Sequence, residues 1–485
     1  MTPAELTRLG EAMHQELGRE YYLTGAGLKR EAAFQTIYDR YATLLSDEAL
    51  ESARASGSGP MVEWIVGVRT GRVVAPLEER QLAWEQTAVV RVGERAIPYL
   101  RVPIELSNDP DRASRLAIDR ERGRLIIAQL NEVRREWFAR EHGALVELGY
   151  PNYVAGIAQL SGIDLAALGE ACGSFLAQTA DLYRAVLAPL VKRRVRVPLG
   201  ELTRADTSWA FRARDYDAGF PLGTLVETAV RQMRDMGVDA HQSGRVQFDT
   251  EERPDKQPRA FCVPVRVPQE VYLVLRPRGG HQDYRTLWHE MGHAVHFASI
   301  DPARPFADRW LGDNSVTEGF AMLLDHLTVD AGWLSRYTGL TARQVKELRH
   351  ELLVYDLYGV RRYAAKLGYE LLLHAGNLSD GAGEYATRLT EATLFRYNEA
   401  DWLVDVDPAF YAARYLRAWQ LEAAVATELV ERYDEDWYRN PRAGAFVQHV
   451  MSRGQAEPAD KLVEELTGAP LSFGPLVKRL QAGLQ

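Results

Sequence analysis

The pentapeptide His289-Glu290-Met291-Gly292-His293 constrains this chain more than any other feature. Around it Leu287, Met291, Ala294, Val295 and Ala298 recur at helical spacing from Tyr284 to Ile300, with no internal proline. Gly279-Gly280 precede the run and Asp301-Pro302 follow it, which are start and stop punctuation. A helix that is apolar on both sides of its histidines is a buried helix. It must find partners for His289, Glu290 and His293, because unpaired ionisable groups are rarely buried.

Residues four apart on a helix lie roughly 40° round and about 6 Å along the axis. His289 and His293 therefore share a face and can bind one zinc ion. Glu290, next to the first ligand, is placed to take a proton from water activated there. This is the H-E-x-x-H arrangement of zinc metallopeptidases. With 11 histidines in 485 residues, chance matches are expected on the order of a few hundredths. The alternative is a surface helix that carries two histidines.

The third ligand decides the kind of site. The continuation H-x-x-G-x-x-H fails, because its Gly and final His positions hold His296 and Ser299. The other solution is a Glu from a second helix, leaving one open position. Glu318 starts an apolar run of good helix formers, with Thr317 or Ser315 as the expected cap. It is the expected third ligand; the alternative is a first-turn Glu that complements the helix dipole. Asp325, seven residues on, returns to nearly the same face. It is expected to accept a hydrogen bond from the outer nitrogen of a ligand histidine, the alternative being a solvated polar face. His296 and His326 are expected to pack or support, since the tetrahedral count is filled. The expected cofactor is one Zn2+ per chain.

The stretch Leu287 to His296 resembles the H-E-x-G-H-x-x-H core of the M3 family of zinc oligopeptidases, and the interval from His293 to Glu318 is similar to that family's interval to its Glu ligand. The segment Asp407 to Trp419 resembles the family's tyrosine-rich segment. The resemblance implies that Tyr411 and Tyr415 line the site and donate to the oxyanion, which suits a phenol. The plain alternative is aromatic packing at i, i+4. Two family positions depart: Val406 stands for a His and Ala418 for a third tyrosine. The chain is also shorter than the usual M3 enzyme. Its size and helical content are similar to the M32 carboxypeptidases, whose His-Glu-Ser-Gln-Ser motif it lacks. The fold implied is mainly α, two-lobed, with a small sheet beside the zinc helix and a central substrate channel.

The remainder bounds the function. Hydrophobic residues make up 46%, charged residues 26%, and the net charge is -9, an ordinary soluble acidic profile. No basic stripe or Cys-His finger spacing points to nucleic acid. The run Lys192 to Arg196 reads as a solvated helix end. No apolar stretch reaches eighteen residues, so no membrane span is expected. The first twenty residues carry four glutamates and do not read as a signal peptide. Two cysteines, Cys172 and Cys262, make no disulfide framework and suit a reducing cytoplasm.

Helical periodicity covers residues 4 to 55, 109 to 148 and 164 to 192, and weakens around Pro198 to Gly219. The expected division is therefore 1–200 as an N-terminal helical lobe and 201–485 as the catalytic region. Ala260 to Leu275 reads as two strands with a turn near Pro268-Gln269. Its edge beside the metal suits an extended peptide, the alternative being a structural hairpin.

These readings together point to hydrolysis of internal bonds in short peptides. Two rivals stand. One is a zinc carboxypeptidase, with Arg361, Arg362, Arg414 or Arg417 clamping a terminal carboxylate. The other is a peptide-binding scaffold with structural zinc, against which the intact Glu290 counts. Replacing His293 by Ala is expected to remove both metal and activity. Tight zinc retained in that variant, measured by metal analysis after dialysis, would overturn the ligand set.

Overall fold

The computed structural model describes residues 1–253, 255–376 and 379–485. Twenty-two α-helices, ten short 3-10 helices and five short strands supply the regular structure of the described residues, the mainly α architecture expected from the periodicity. The expected helices are found as Pro3–Gly25, Phe34–Arg40 and Asp47–Ala55 near the N-terminus. Arg112–Gln129, Asn131–Glu147, Leu165–Gln178 and Ala180–Arg194 follow.

The chain divides into two compact units, each of three segments. The first comprises Met1–Ile65, Arg214–Arg349 and Arg417–Arg479; the second comprises Val66–Ala213, His350–Leu416 and Leu480–Gln485. This differs from a single boundary near residue 200. The weak stretch Pro198 to Gly219 does hold one crossing, after Ala213. The other crossings fall inside the helices Gly59–Thr87, Ala342–His374, Tyr411–Tyr433 and Gly474–Leu484, where no turn residues mark them.

The second unit contains a hairpin that the periodicity does not announce. Strands β1 (Val89–Val92) and β2 (Arg95–Pro98) pair antiparallel, Val89 with Pro98 and Val92 with Arg95. Val90 and Ile97 point from it into a small core with Val102, Leu106 and Ile118. The run Lys192 to Arg196 is not simply solvated. Arg194 bonds both oxygens of Glu351 at 2.9 Å, and Arg193 bonds the same carboxylate, which is 3% exposed. A buried carboxylate needs such partners.

The first unit holds a three-stranded sheet in the order β3-β5-β4. Strands β4 (Phe261–Arg266) and β5 (Glu270–Val274) are the expected antiparallel pair, Phe261 opposite Val274. Strand β3 (Val246–Asp249) joins β5 in parallel and was not expected. Its four residues are too few to show a period. Strand β4 is an edge strand and carries Pro264, whose lack of an N–H restricts it to such a place. The helix Pro3–Gly25 packs against β4, with Gly18 abutting the Pro264 carbonyl.

The motif helix runs His281–Ser299 and packs on both β4 and β5. Gly279 and Gly280 enter it with φ of 90° and 89°, a region open to glycine at little cost. Its apolar face is fully buried at Leu287, Met291, Ala294 and Ala298. Trp288 packs edge-on to Trp333, ring centres 5.1 Å apart, and donates its Nε1–H to Gln232.

The glutamate helix runs Asn314–Asp325 and packs on the motif helix more extensively than any other element does. Its cap is Asp313, which accepts from the Ser315 N–H at 2.9 Å, rather than Thr317 or Ser315. Glu318 therefore lies beyond the first turn, and the dipole alternative fails. At Gly292 the two backbones nearly touch: a Cβ there would stand 2.5 Å from Ala321 Cα and 2.7 Å from the Phe320 carbonyl oxygen.

Gly292→Ala is expected to lower the melting temperature. Overpacking costs about 1–3 kcal/mol, and against backbone the upper end applies, which exceeds the roughly 1 kcal/mol of helix propensity that Ala gains. A melting temperature equal to or above that of the parent protein would refute the close approach.

Candidate metal centre

His289 and His293 project from successive turns of the motif helix, ring centres 4.9 Å apart and planes at 86°. Their Nε2 atoms converge on Glu318 Oε2, at 3.5 Å and 3.6 Å. The candidate ligand atoms of the three residues lie within 4.8 Å of one another. Glu318 is 6% exposed, while the two histidines are half-buried, so the cluster has a closed floor and an accessible side.

The outer nitrogens are engaged elsewhere. His289 Nδ1 bonds Asp325 Oδ2 at 2.9 Å, and His293 Nδ1 bonds Thr317 Oγ1 at 2.9 Å. With each Nδ1–H donating outward, each Nε2 lone pair faces the other and the carboxylate, the tautomer a metal ligand requires. Arg285 holds the second oxygen of Asp325 at 3.2 Å. Thr317, read from the sequence as a cap, is thus a partner of the second histidine. A hydroxyl beside a Glu in a helix carries no mark that separates the two roles.

Burial works against a charged His289, but hydrogen bonds to Asp325 and Glu318, and their charges, outweigh it and raise the imidazole to about 10. Burial also opposes a charged Glu318, yet the charge of His293 and bonds from both imidazoles hold it well below the usual carboxylate range. Two buried carboxylates thus call for positive charge at this point. A proton on His289 and a divalent cation are alternative ways to supply it, so binding a cation would release a proton. The donor set fits zinc: two imidazole nitrogens and one carboxylate oxygen, converging from two rigid helices with one side accessible.

Glu290 is half-buried. The Cys262 thiol is pushed well up, first by burial and then by the negative charge of Glu290, which puts that carboxylate near β4. His296 packs against Phe297 and Phe320 and is fully buried. Burial lowers it to about 3, so it is a neutral packing group. His326 is likewise held well below its ordinary value by burial.

Tyr411 and Tyr415 belong to the second unit, at the start of the helix Tyr411–Tyr433. Their rings meet edge to face at 5.0 Å, and Tyr415 meets Tyr363 at 5.4 Å. The candidate clamp arginines are engaged or buried. Arg361 bonds the Ala392 and Leu176 carbonyls and Thr179 Oγ1; Arg362 bonds Asp405; Arg417 bonds Asp313 and Asp460. Arg414 is 7% exposed. These four hold the protein's own polar groups or lie buried, and spacing alone could not show it.

No family model matches the chain, and no curated protein matches it. Among solved structures it is similar to the M32 carboxypeptidase from Deinococcus radiodurans R1, with a TM-score of 0.61 over 99% of this chain and 98% of that one, at 16% identity. At that identity the likeness is one of fold. The chain has the mainly helical fold seen in that M32 carboxypeptidase, and the M3 likeness drawn from short motifs is not what this comparison supports.

Asp325→Asn is expected to weaken metal binding by about 10–100-fold, since it alters the acceptor that orients His289. Competition against a chelator measures it, and an unchanged affinity would remove Asp325 from the site.

Proposed function

We propose that the protein is a zinc-dependent peptidase that trims residues from the C-termini of short peptides. The convergence of His289 Nε2 and His293 Nε2 on Glu318 Oε2, with both outer nitrogens bonded away, carries the reading. The carboxypeptidase mode is supported by the full-length likeness to an M32 carboxypeptidase. His289, His293 and Glu318 would hold the zinc, which when bound would supply Lewis acidity to the scissile carbonyl and lower the pKa of water towards neutrality.

The chain's own groups do the rest. Glu290 takes the proton of the attacking water and passes it to the leaving amine. Asp325 and Thr317 hold the two imidazoles in register through their Nδ1 atoms. Tyr411, with Tyr415, donates to the oxyanion of the tetrahedral species, as the resemblance to the tyrosine-rich segment implies. Peptides are the proposed partners, and the cytoplasm the proposed place of action. A second reading, cleavage of internal bonds, is favoured by the likeness of Leu287 to His296 and of Asp407 to Trp419 to the M3 oligopeptidases.

Digestion of a mixed synthetic peptide library, read by mass spectrometry, tests both. Zinc-loaded wild-type protein is expected to remove single C-terminal residues, and Glu290→Gln to bind zinc with turnover lowered by at least about 1,000-fold. Internal cuts would move the assignment to an oligopeptidase. An active Glu290→Gln variant would refute the assigned base, and no cleavage at all by wild-type would refute the peptidase reading.

A further inference from the structure

Within the second unit, the helix Ala342–His374 carries Lys366, Glu370 and His374 four residues apart, which places them on one face. All three are buried, and Glu370 is 0% exposed. The segment Asp405 to Phe410 meets this face. The Asp407 N–H donates to Glu370 Oε1 at 2.8 Å. Lys366 Nζ lies 2.7 Å from Asp407 Oδ1 and 3.8 Å from both Asp405 Oδ1 and Glu370 Oε1. Arg362 bonds Asp405 at 2.6 Å, and the Tyr385 hydroxyl donates to the same carboxylate at 2.7 Å. Glu370 Oε2 and Asp407 Oδ2 are buried with no hydrogen-bond partner among the described residues. The segment ends in two left-handed residues, Ala409 and Phe410, with φ of 48° and 52°. Side chains with a Cβ avoid that region, so the segment depends on contacts that hold it.

Charge in this cluster does not balance with every carboxyl ionised. Two cations, Lys366 and Arg362, face three carboxyls, Asp405, Asp407 and Glu370. Arg134, from the helix Asn131–Glu147, also faces Asp407, but it is engaged by the Leu403 and Val406 carbonyls and by the charge of Glu141. The phenols of Tyr153 and Tyr369 face Glu370 and carry no charge at neutral pH. Burial, with the charges of His142 and Arg134, lowers His374 to about 3, so it is neutral too. Burial opposes a charged Asp405, but Arg362 and Lys366 bring it down to about 2. Asp407 is partly exposed and lies against the ammonium. The proton that balances the cluster therefore stays on Glu370, the most deeply buried of the three carboxyls. Burial, opposed by Lys366 and reinforced by Asp407 and Asp405, pushes it up to about 8.

We propose that the Glu370 carboxyl is a pH-sensitive latch on the Asp405 to Phe410 segment: protonated, it accepts the Asp407 N–H without adding charge, and ionised, it repels Asp405 and Asp407 across a single lysine. The latch lies within the second unit and does not depend on the peptidase reading. An ordinary glutamate loses its proton near 4.5. Between that value and about 8 the folded chain keeps a proton that the unfolded chain has released, so the hold weakens as pH rises through this window and stays weak above it.

Difference infrared spectroscopy of the full chain, wild-type against Glu370→Gln, reads the proton directly. Gln keeps the acceptor for the Asp407 N–H and cannot ionise. A carboxylic-acid band is expected in wild-type at about pH 6, absent from the variant, and lost by about pH 9. Asp407→Asn removes one repelling charge and is expected to move that loss to lower pH. Hydrogen exchange read by mass spectrometry follows the segment itself. Residues 405–410 are expected to exchange alike in wild-type and Glu370→Gln at about pH 6, and about tenfold faster in wild-type at about pH 9. No acid band at pH 6, a loss that Asp407→Asn leaves in place or moves upward, or equal exchange at pH 9 would each overturn the proposal. Should Glu370→Gln not fold, the wild-type band and its shift in Asp407→Asn decide alone.

Discussion

The candidate centre depends on how closely two helices approach. A metal site of this kind draws two ligands from one helix and a third from another, and its geometry holds only if the axes are fixed to a fraction of an ångström. Gly292, between the two histidines of the pentapeptide, has no side chain, and the backbone of Phe320-Ala321 fills the space a Cβ would take. Two residues before Phe320 stands Glu318, and the same approach brings Thr317 against His293 and Asp325 against His289. One missing methyl group thus sets the position of the third candidate ligand and of both outer hydrogen bonds. The rest of the first unit acts as backing, with Trp288 wedged against Trp333 and β4 and β5 packed on the motif helix.

Charge follows from that packing. Glu318 and Asp325 are buried on a helix that has no basic residue in its own sequence from Asn314 to Asp325. Carboxylates in such a place must find positive charge nearby. Arg285 supplies part of it to Asp325, and the imidazoles face the remainder. The arrangement is an anionic cradle closed by two histidines, whose donor atoms fit a proton or a divalent cation at the same point. A cation taken up there would have to displace any proton held by His289.

The parts of this structure legible in the sequence are those where chemistry and periodicity coincide. The motif helix stood out because two histidines and a glutamate interrupt an apolar stripe, and Glu318 because it starts an apolar run rich in good helix formers. The strands β4 and β5 were legible from alternating valines between prolines. What could not be read was set by contacts distant in sequence. Strand β3 is stable only beside β5, and the hairpin β1-β2 only on the core around Ile118. The part Thr317 plays depends on which way its hydroxyl turns. The division into two units runs through uninterrupted helices, where nothing in the local pattern changes. Arg361, Arg362 and Arg417 looked available for a ligand only because their own acceptors lie far along the chain.

The proline in β4 has a consequence for how copies of this protein meet one another. An edge strand is a template onto which a foreign strand can zip, rung by rung, and uncontrolled zipping is how folded proteins begin to aggregate. At Pro264 the ladder lacks a donor, and the helix Pro3–Gly25 comes close enough for Gly18 to abut the carbonyl beside it. A sheet that flanks the candidate metal centre is in this way stopped from growing. An extended chain arriving along β4 finds no donor at the proline, so the edge does not propagate pairing to a second copy of itself.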